Sequence, residues 1–525
     1  MIGSFRQSMT WLHTWAGLVF CWLLYFIFVT GTLGYFDTEI DHWMQPELAT
    51  AGDASSKERI ETAIAHLEAN AQGADRWFIN FRSSREEPHL RVFWQSPGET
   101  EDDPPENHNV TLDAVSGAPL DDLARETGGG QLLYRMHYVL HYIDSQIAFR
   151  FVGILTLFMF IGMITGIVAH KKIFKDFFTF RAKKGQRSWL DMHNLLSVTS
   201  LPFQLMITYS GLLFVTALWM PLIAVGSVGF DTKKAAELIN LEGAKIEAAG
   251  TPAELTDIAA VVAGAEAQWG EGTVQRFNIY NPGDANARIE MTPSTGIGFL
   301  RTTHVYDGTT GELVDTPELP ASGALSFAST MLGLHEGLFA GTTLRWLYFL
   351  SGVLGTAMIA TGAILWTSKR RKKAADEQQF RGFRFVEVMN IGTIMGVLIG
   401  VAAFFWANRL LPIGLEERAE WEAHAMFITW GLCLLYPLLR SRQAAWRDLT
   451  WLAAFAFAAL PILNAATTNV GLLTSIGNGD WTMAGFDLTA LGTGIVFAIA
   501  ATYLTRQNAK QVAGTEPRTI EAAVS

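Results

Sequence analysis

A long apolar stretch that opens with a histidine occurs twice in this chain, and this duplication restricts the folds that are possible. The first copy covers residues 12–36 and contains His13, and the second covers residues 192–215 and contains His193. In both copies a glycine follows the histidine by 18 residues. Eighteen helical residues span about 27 Å, which is close to the thickness of the apolar core of a bilayer. The sequence therefore predicts two related membrane-spanning helices.

The segments that follow the two copies are also related to each other. Residues 134–170 and 334–366 each contain a histidine, a short link, an arginine, an apolar helix and a Thr-Gly pair. This order indicates a duplicated unit of helix, extramembrane segment and helix. The four helices carry histidines near their ends, and helix bundles bind cofactors through such side chains on facing helices.

The composition narrows the class of protein. Half of the 525 residues are apolar and 17% are charged, which indicates a membrane protein with sizeable soluble parts. The net charge of −11 and the lack of a basic aromatic face argue against nucleic acid as a partner. Cys21 and Cys433 both lie in apolar runs, so we expect neither a disulfide framework nor a covalently attached haem.

Apolar windows of about 20 residues predict eight transmembrane helices. The loops at 171–187 and 369–384 each carry seven Lys or Arg, which predicts that both face the cytoplasm, as do both chain termini. The acidic segments between the helices are then extracytoplasmic, and their mixed periodicity predicts two small α+β domains. The predicted order is helix 1 at 1–36, a soluble domain at 37–135, helices 2 and 3 within 136–220, a second soluble domain at 221–341, helix 4 at 342–368, helices 5–8 within 385–505 and a cytoplasmic tail at 506–525.

Three histidines fall near the predicted cytoplasmic ends of the helices. A b-type haem with two histidine ligands needs two imidazoles that face each other, and a duplicated unit with one histidine in each copy supplies such a pair. We therefore predict that His13 and His193 bind one haem iron. His170 either replaces one of these two ligands or anchors the helix end at the membrane surface beside Lys171.

A second pair of ligands is predicted near the opposite face. The second copy supplies His335, whereas the first supplies both His137 and His141, one helical turn apart. Spacing to the matched arginines, Arg150 and Arg345, favours His141, and the surrounding motif favours His137, so both stay candidates to bind the haem iron with His335. The two arginines would either pair with haem propionates or anchor to lipid head groups.

Glycines in the duplicated unit fall at the same two levels as the histidines. Gly31 and Gly211 lie at the outer level, and Gly166 and Gly362 lie at the inner level. A missing side chain at these positions would let a flat macrocycle approach the backbone, although small residues are also common wherever membrane helices pack closely.

The motifs LHTWAG, LDMHNLLS, RMHYVLHY and MLGLHEG, with the loop HKKIFKDFFTFRAKKGQRSW, resemble those of the PepSY-associated transmembrane family. The resemblance covers about residues 5–370. It implies a four-helix core that binds two non-covalent b-type haems, two PepSY-like domains outside the bacterial cytoplasmic membrane, and, for some members, reduction of ferric siderophores. It supplies no role for residues 385–505.

These observations predict a polytopic α-helical membrane protein with eight transmembrane helices, a four-helix haem-binding core and two small extracytoplasmic α+β, PepSY-like domains. The expected activity is ferric reductase: electrons cross the inner membrane to a ferric siderophore or another Fe(III) chelate and release Fe(II). No dinucleotide-binding motif follows a strand, so the expected donor is quinol or a separate protein. The alternatives are a non-redox scaffold or regulator whose PepSY-like domains bind a peptide or protein partner, and a transporter.

Overall fold

The computed structural model describes residues 4–48, 54–85, 87–97, 105–120, 124–170, 172–219, 246–294, 296–316, 323–376 and 381–513. The chain divides into two compact units. The first, which we call the helical unit, consists of residues 1–44, 126–208 and 346–525. The second, which we call the sheet unit, consists of residues 45–125 and 209–345. Parts of the predicted second soluble domain, at 220–245 and 317–322, and of the predicted tail, from 514, lie outside the described residues.

The secondary structure is mostly helical. The helices are α1 (Phe5–Gly34), α2 (Asp37–Met44), α3 (Ser56–Asn70), α4 (Gly129–Tyr138), α5 (Ser145–Ala169), α6 (Ile173–Phe177), α7 (Gln186–Trp219), α8 (Ile258–Trp269), α9 (Gly323–Glu336), α10 (Thr342–Asp376), α11 (Arg381–Leu410), α12 (Arg418–Leu439), α13 (Arg442–Ala458), α14 (Leu460–Thr467), α15 (Leu472–Gly477) and α16 (Trp481–Ala513). The strands are β1 (Arg76–Asn80), β2 (Leu90–Ser96), β3 (Glu106–Leu112), β4 (Arg276–Tyr280), β5 (Arg288–Met291), β6 (His304–Asp307) and β7 (Leu313–Asp315).

Eight helical segments in the described part of the chain are long and apolar enough to cross a membrane, as predicted. They are Phe5–Gly34, Ser145–Ala169, Gln186–Val215, Thr342–Arg371, Gly382–Leu410, Arg418–Leu439, Arg442–Thr467 and Trp481–Ala509. The seventh consists of α13 and α14, which are separated at Ala459. Pro461 lies in the first turn of α14, where its missing N–H needs no partner, whereas inside a continuous helix it would remove a hydrogen bond.

Polar side chains set the beginnings of the first two spans. The Ser4 hydroxyl accepts a hydrogen bond from the N–H of Gln7 at the start of α1. The Asp144 carboxylate accepts from the N–H groups of Gln146 and Ile147 at the start of α5. Such caps satisfy backbone donors that have no partner inside the helix.

Among the last four spans α11 is the most buried, with 83% of its apolar window inside the structure. Gly392, Gly396 and Gly400 lie on one face of α11, one turn apart. A Cβ at Gly396 would come 2.8 Å from the Cβ of Cys433 on α12, so only a glycine allows this close approach. The pattern is the small-residue packing that membrane helices use.

The strands of the sheet unit form one antiparallel sheet in the order β3-β2-β1-β4-β5-β6-β7. β1, from the first soluble segment, pairs with β4, from the second, with Trp77 opposite Ile279. The prediction of two separate soluble domains is corrected in this respect, because both segments share one sheet and one apolar core. Each half alone would leave its first strand as an unpaired edge, and the pairing of β1 with β4 removes both edges.

Candidate functional site

Two of the predicted ligands face each other inside the helical unit. His13 on α1 and His193 on α7 have ring centres 6.3 Å apart, with their planes at 55°. Two imidazoles that bind one metal from opposite sides, each through Nε2 at about 2.0 Å, have ring centres roughly 6 Å apart. The separation of these two rings therefore suits a single metal ion between them.

Backbone carbonyl groups orient both rings in the same way. His13 Nδ1 lies 2.8 Å from the carbonyl oxygen of Gly162 on α5, and His193 Nδ1 lies 3.0 Å from that of Met358 on α10. A carbonyl oxygen can only accept, so Nδ1 carries the proton in both rings and Nε2 keeps the lone pair. This is the arrangement in which a histidine is held ready to bind a metal.

Glycines one turn further along α5 and α10 make room for the two rings. A Cβ at Gly166 would lie 3.1 Å from Cε1 of His13, and one at Gly362 would lie 3.2 Å from Cε1 of His193. The space that these glycines leave is taken by imidazoles, which differs from the predicted contact with a macrocycle. The same contact on both sides shows that the duplication extends to the packing of the site.

A cavity of about 360 Å³ lies among α1, α5, α7 and α10. It is within the range of about 300–1,000 Å³ that small-molecule and cofactor sites occupy. Its wall is mostly apolar, and among its lining residues are His13, His193, His170, Gly17, Trp366 and Arg370. A bound group of cofactor size would thus meet both imidazoles and little other polar surface.

Two cations at the edge of this cavity were not singled out in the sequence. Lys369 and Arg370 line the cavity, and the Arg370 guanidinium lies 4.2 Å from the ring centre of Trp366. Guanidinium and ammonium groups beside an apolar cavity suit a ligand with carboxylates. In the sequence these residues were counted only as part of a basic loop. The signal that could have found them is their place directly after Trp366, the counterpart of His170.

The predicted propionate partners lie elsewhere. Arg150 is exposed on α5, and Arg345 in the sheet unit donates to the carbonyl oxygen of Ala340 at 2.8 Å. Neither belongs to the residues that line the cavity.

His170 also lines the cavity. It follows the last residue of α5 and caps that helix. Its Nε2 lies 3.5 Å from Nδ2 of Asn194, the residue after His193. The structure thus places His170 in the wall beside the histidine pair, and its predicted role as an alternative ligand stays open.

A third histidine, on α4, contacts the other end of α1 through the same kind of hydrogen bond. His137 is partly buried, and its Nδ1 lies 2.8 Å from the carbonyl oxygen of Ile27. A Cβ at Gly31 would lie 2.6 Å from Cε1 of His137. Burial lowers the pKa of His137, against the opposing effect of the hydrogen bond to Ile27, so the ring is neutral near pH 7.

His141 has a different environment from His137. It lies beyond the end of α4, with Nε2 3.0 Å from a carboxylate oxygen of Glu420. Its ring stacks on that of Phe427 at 5.8 Å and 7°. The hydrogen bonding of His137 therefore matches that of His13 and His193, and that of His141 does not.

His335, the predicted outer ligand of the second copy, lies at the end of α9 in the sheet unit. Its Nδ1 is 2.9 Å from the hydroxyl oxygen of Ser210, and its ring meets that of Phe214 edge-on at 5.3 Å. The hydrogen-bond partner of Nδ1 is thus a side-chain hydroxyl at His335, whereas it is a backbone carbonyl at His13, His193 and His137.

Within the described residues, no group of three or more His, Cys, Asp or Glu is placed to bind a metal ion. A site with two protein nitrogens leaves the other ligands of the metal to groups outside the protein, such as the porphyrin in haem. The donor set at His13 and His193 fits such a group.

Comparison with known families agrees with the geometry. The family model described as PepSY-associated TM region matches residues 10–369, a range that begins in α1 and ends in α10. It includes all the histidines discussed above and leaves α11 to α16 outside. No individual curated protein matches the chain. The match covers well over half of the 525 residues, and the chain therefore belongs to the PepSY-associated transmembrane family.

Proposed function

We propose that this protein is a di-haem b reductase of the bacterial cytoplasmic membrane, which passes electrons outward to a ferric siderophore or another Fe(III) chelate. The observation that carries the proposal is the pair His13 and His193, whose ring centres lie 6.3 Å apart, each ring oriented by a backbone carbonyl, in the wall of a cavity of about 360 Å³. A haem bound there would supply one-electron redox chemistry.

At this first site each residue has a separate task. The two imidazoles would bind the iron through Nε2, and the carbonyl oxygens of Gly162 and Met358 fix the ring orientation. Lys369 and Arg370 are the cations that would pair with the propionates. The apolar walls exclude water.

We propose His137, rather than His141, as a ligand of the second haem. The support is its Nδ1 hydrogen bond to a backbone carbonyl and its packing against Gly31, both of which repeat the pattern at His13. The Nε2 atom of His141 instead faces the Glu420 carboxylate. For the second copy, His335 stays the ligand that the sequence repeat predicts.

The direction of electron flow rests on the basic loops at 171–187 and 369–384, which place the His13 end of α1 at the cytoplasmic side by the positive-inside rule. The proposed donor is quinol or a separate protein. On this orientation the sheet unit is periplasmic. Protease added to intact spheroplasts should then cut within the sheet unit, and cleavage at the loop 369–384 instead would reverse the orientation.

The visible absorption spectrum of the purified full-length protein tests the proposal. We expect a haem spectrum with split α-bands after dithionite reduction and about two haems per chain, both extracted by acid acetone because neither cysteine lies in an attachment motif. A featureless spectrum would refute the proposal and favour the non-redox scaffold.

Single substitutions then test the ligands of the first site. His13→Ala and His193→Ala should each reduce the haem content by about half. Each substitution removes one of the two protein ligands of the metal, and the site then binds the metal only weakly. His66→Ala, on α3 of the sheet unit, is the matched control and should leave the haem content unchanged. Two full haem equivalents in both ligand variants would refute the assignment.

A further inference from the structure

A group of four rings, two exposed and two partly buried, lies on the helical unit where the loop after α4 meets the start of α12. We call it the ring cluster, and it consists of His141, Tyr142, Trp421 and His424. Tyr142 is 59% exposed and Trp421 is 48% exposed. The Tyr142 hydroxyl lies 2.6 Å from Nδ1 of His424, and Trp421 meets His424 edge-on at 5.3 Å. Hydrogen bonds and ring contacts thus hold these side chains in place.

The backbone at Tyr142 is unusual. Its φ is 65°, a left-handed conformation that bulky residues rarely adopt and that persists only where the surroundings hold it. The Tyr142 ring contacts His141 at 4.3 Å and Phe427 at 5.1 Å. Anchoring at a membrane interface explains an exposed tyrosine, but it requires neither this backbone conformation nor the hydrogen bond to His424.

A continuous series of ring contacts joins the cluster to the surroundings of His137. His141 stacks on Phe427 at 5.8 Å, and Phe427 contacts Phe26 on α1 at 6.0 Å. Phe26 precedes Ile27, the residue whose carbonyl oxygen binds His137 Nδ1. A ligand on the ring cluster would therefore be linked by contacting rings to a proposed haem ligand.

The surface around the cluster is acidic. Within 139–148 and 411–424 the exposed charged side chains are Asp144, Glu416, Glu417 and Glu420. Arg418 does not offset them at the surface, because it is fully buried and paired with the buried Glu422. Such a surface repels a polyanion and accepts an uncharged or cationic ligand.

We propose that the ring cluster is the docking site for the ferric chelate, and that it selects uncharged or cationic chelates over polyanionic ones. This inference rests on the proposed function. His137 would hold a b-type haem that supplies the one electron needed to reduce the docked Fe(III) to Fe(II), its own iron passing from ferrous to ferric. The proposal also gives a role to α12, which lies outside the part of the chain that the family match covers.

Gallium(III) chelates test the site without any redox chemistry, because Ga(III) resembles Fe(III) in charge and size but accepts no electron. The full-length protein in nanodiscs is titrated calorimetrically with a gallium trihydroxamate, which is uncharged at the metal, and with a gallium tricatecholate, a trianion. Wild-type protein should bind the trihydroxamate more tightly. Glu420→Gln should reduce this preference, because it removes one of the repelling carboxylates.

Substitutions in the cluster locate the binding. Tyr142→Ala and Trp421→Ala should each weaken trihydroxamate binding by about three- to tenfold, the effect of losing one aromatic contact. Tyr142→Phe keeps the ring and should retain most of the affinity. Trp481→Ala removes another exposed tryptophan, at the start of α16, and should change nothing. Unchanged haem content and melting temperature confirm that each variant is folded.

Equal affinity in the wild type and both alanine variants would overturn the site, and tighter binding of the tricatecholate would overturn its selectivity. The result is separate from the test of the proposed function, because gallium binding needs no electron. A chain without haem that binds gallium chelates through the cluster would refute only the reductase. A haem-loaded chain that does not bind them would refute only the docking site.

Discussion

Gly166 on α5 lies directly against the imidazole of His13, so that a Cβ at this position would come 3.1 Å from Cε1 of the ring. The ring is also fixed by its hydrogen bond to Gly162, and it has little freedom to move away. We therefore expect Gly166→Val to displace the imidazole and to reduce the haem content by about half. Haem stoichiometry of the purified variant measures this effect.

Gly431→Val on α12 is the control for this substitution. A Cβ at Gly431 would meet nothing within 4 Å, and Gly431 does not line the cavity. The haem content of this variant should therefore stay at the wild-type level. Similar losses in both variants would mean that a larger residue in a membrane helix, rather than the contact with His13, lowers the haem content.

The pairing of His13 with His193 could be predicted because it follows from a repeat that is visible in the residues. Their hydrogen-bond partners could not be predicted, since Gly162 and Met358 contribute backbone carbonyl oxygens, which any residue type offers. Arg370 was overlooked for a related reason. Lys and Arg after a span are expected from topology alone, although the four-residue spacing already puts Arg370 on the same helix face as Trp366.

The sheet shows a different limit of sequence reasoning. The helix-then-strand order of each soluble segment is readable from its periodicity, and β1 and β4 form where alternation is found. Their pairing is not readable, because both are short strands of similar pattern far apart in the chain, and either could end as a free edge. The single sheet is therefore information that only the structure supplies.

His137 and His141 should respond differently to substitution, because only His137 has the backbone-held orientation of the first pair. His137→Ala should lose one of the two haems, whereas His141→Ala should keep both and lose its contacts with Glu420, Tyr142 and Phe427. Haem content and the reduced spectrum distinguish the two variants. Loss of haem in His141→Ala together with full retention in His137→Ala would reverse the assignment.

The turn after β6 gives the sheet unit a pH-dependent contribution to stability. Hydrogen bonds from the Thr309 side chain and backbone, from Thr310 and from Arg288 hold the pKa of Asp307 below its usual value. A carboxyl with a lowered folded-state pKa stabilises the fold above its unfolded pKa, and this stabilisation is lost as the pH falls through the folded value. We expect Asp307→Ala to lower the melting temperature of the sheet unit at pH 7 by about 2–4 °C.

The difference in melting temperature between wild type and Asp307→Ala should shrink as the pH is lowered below about 4, which is the usual pKa of an aspartate side chain. Thermal melting curves recorded by circular dichroism at a series of pH values measure this difference. A difference that stayed constant down to the lowest pH would show that the carboxylate charge contributes nothing to the turn. Asp315→Ala, on the exposed strand β7 next to this turn, is the control substitution.

The shared sheet predicts an energetic coupling between the two soluble segments. Arg82, which follows β1, donates from Nη2 to both carboxylate oxygens of Glu266 on α8 at 2.9 Å. Its Nε also donates to the carbonyl oxygen of Val274 at 3.0 Å. Both charged side chains are mostly buried, with 22% and 13% exposed.

A double-mutant cycle with Arg82→Ala and Glu266→Ala should therefore give a coupling of about 1 kcal/mol in the unfolding of the sheet unit. The exposed pair Lys57 and Glu61 on α3, at 67% and 58%, should give a smaller value. If the Arg82 cycle gave no coupling, the two segments would fold as independent domains in solution.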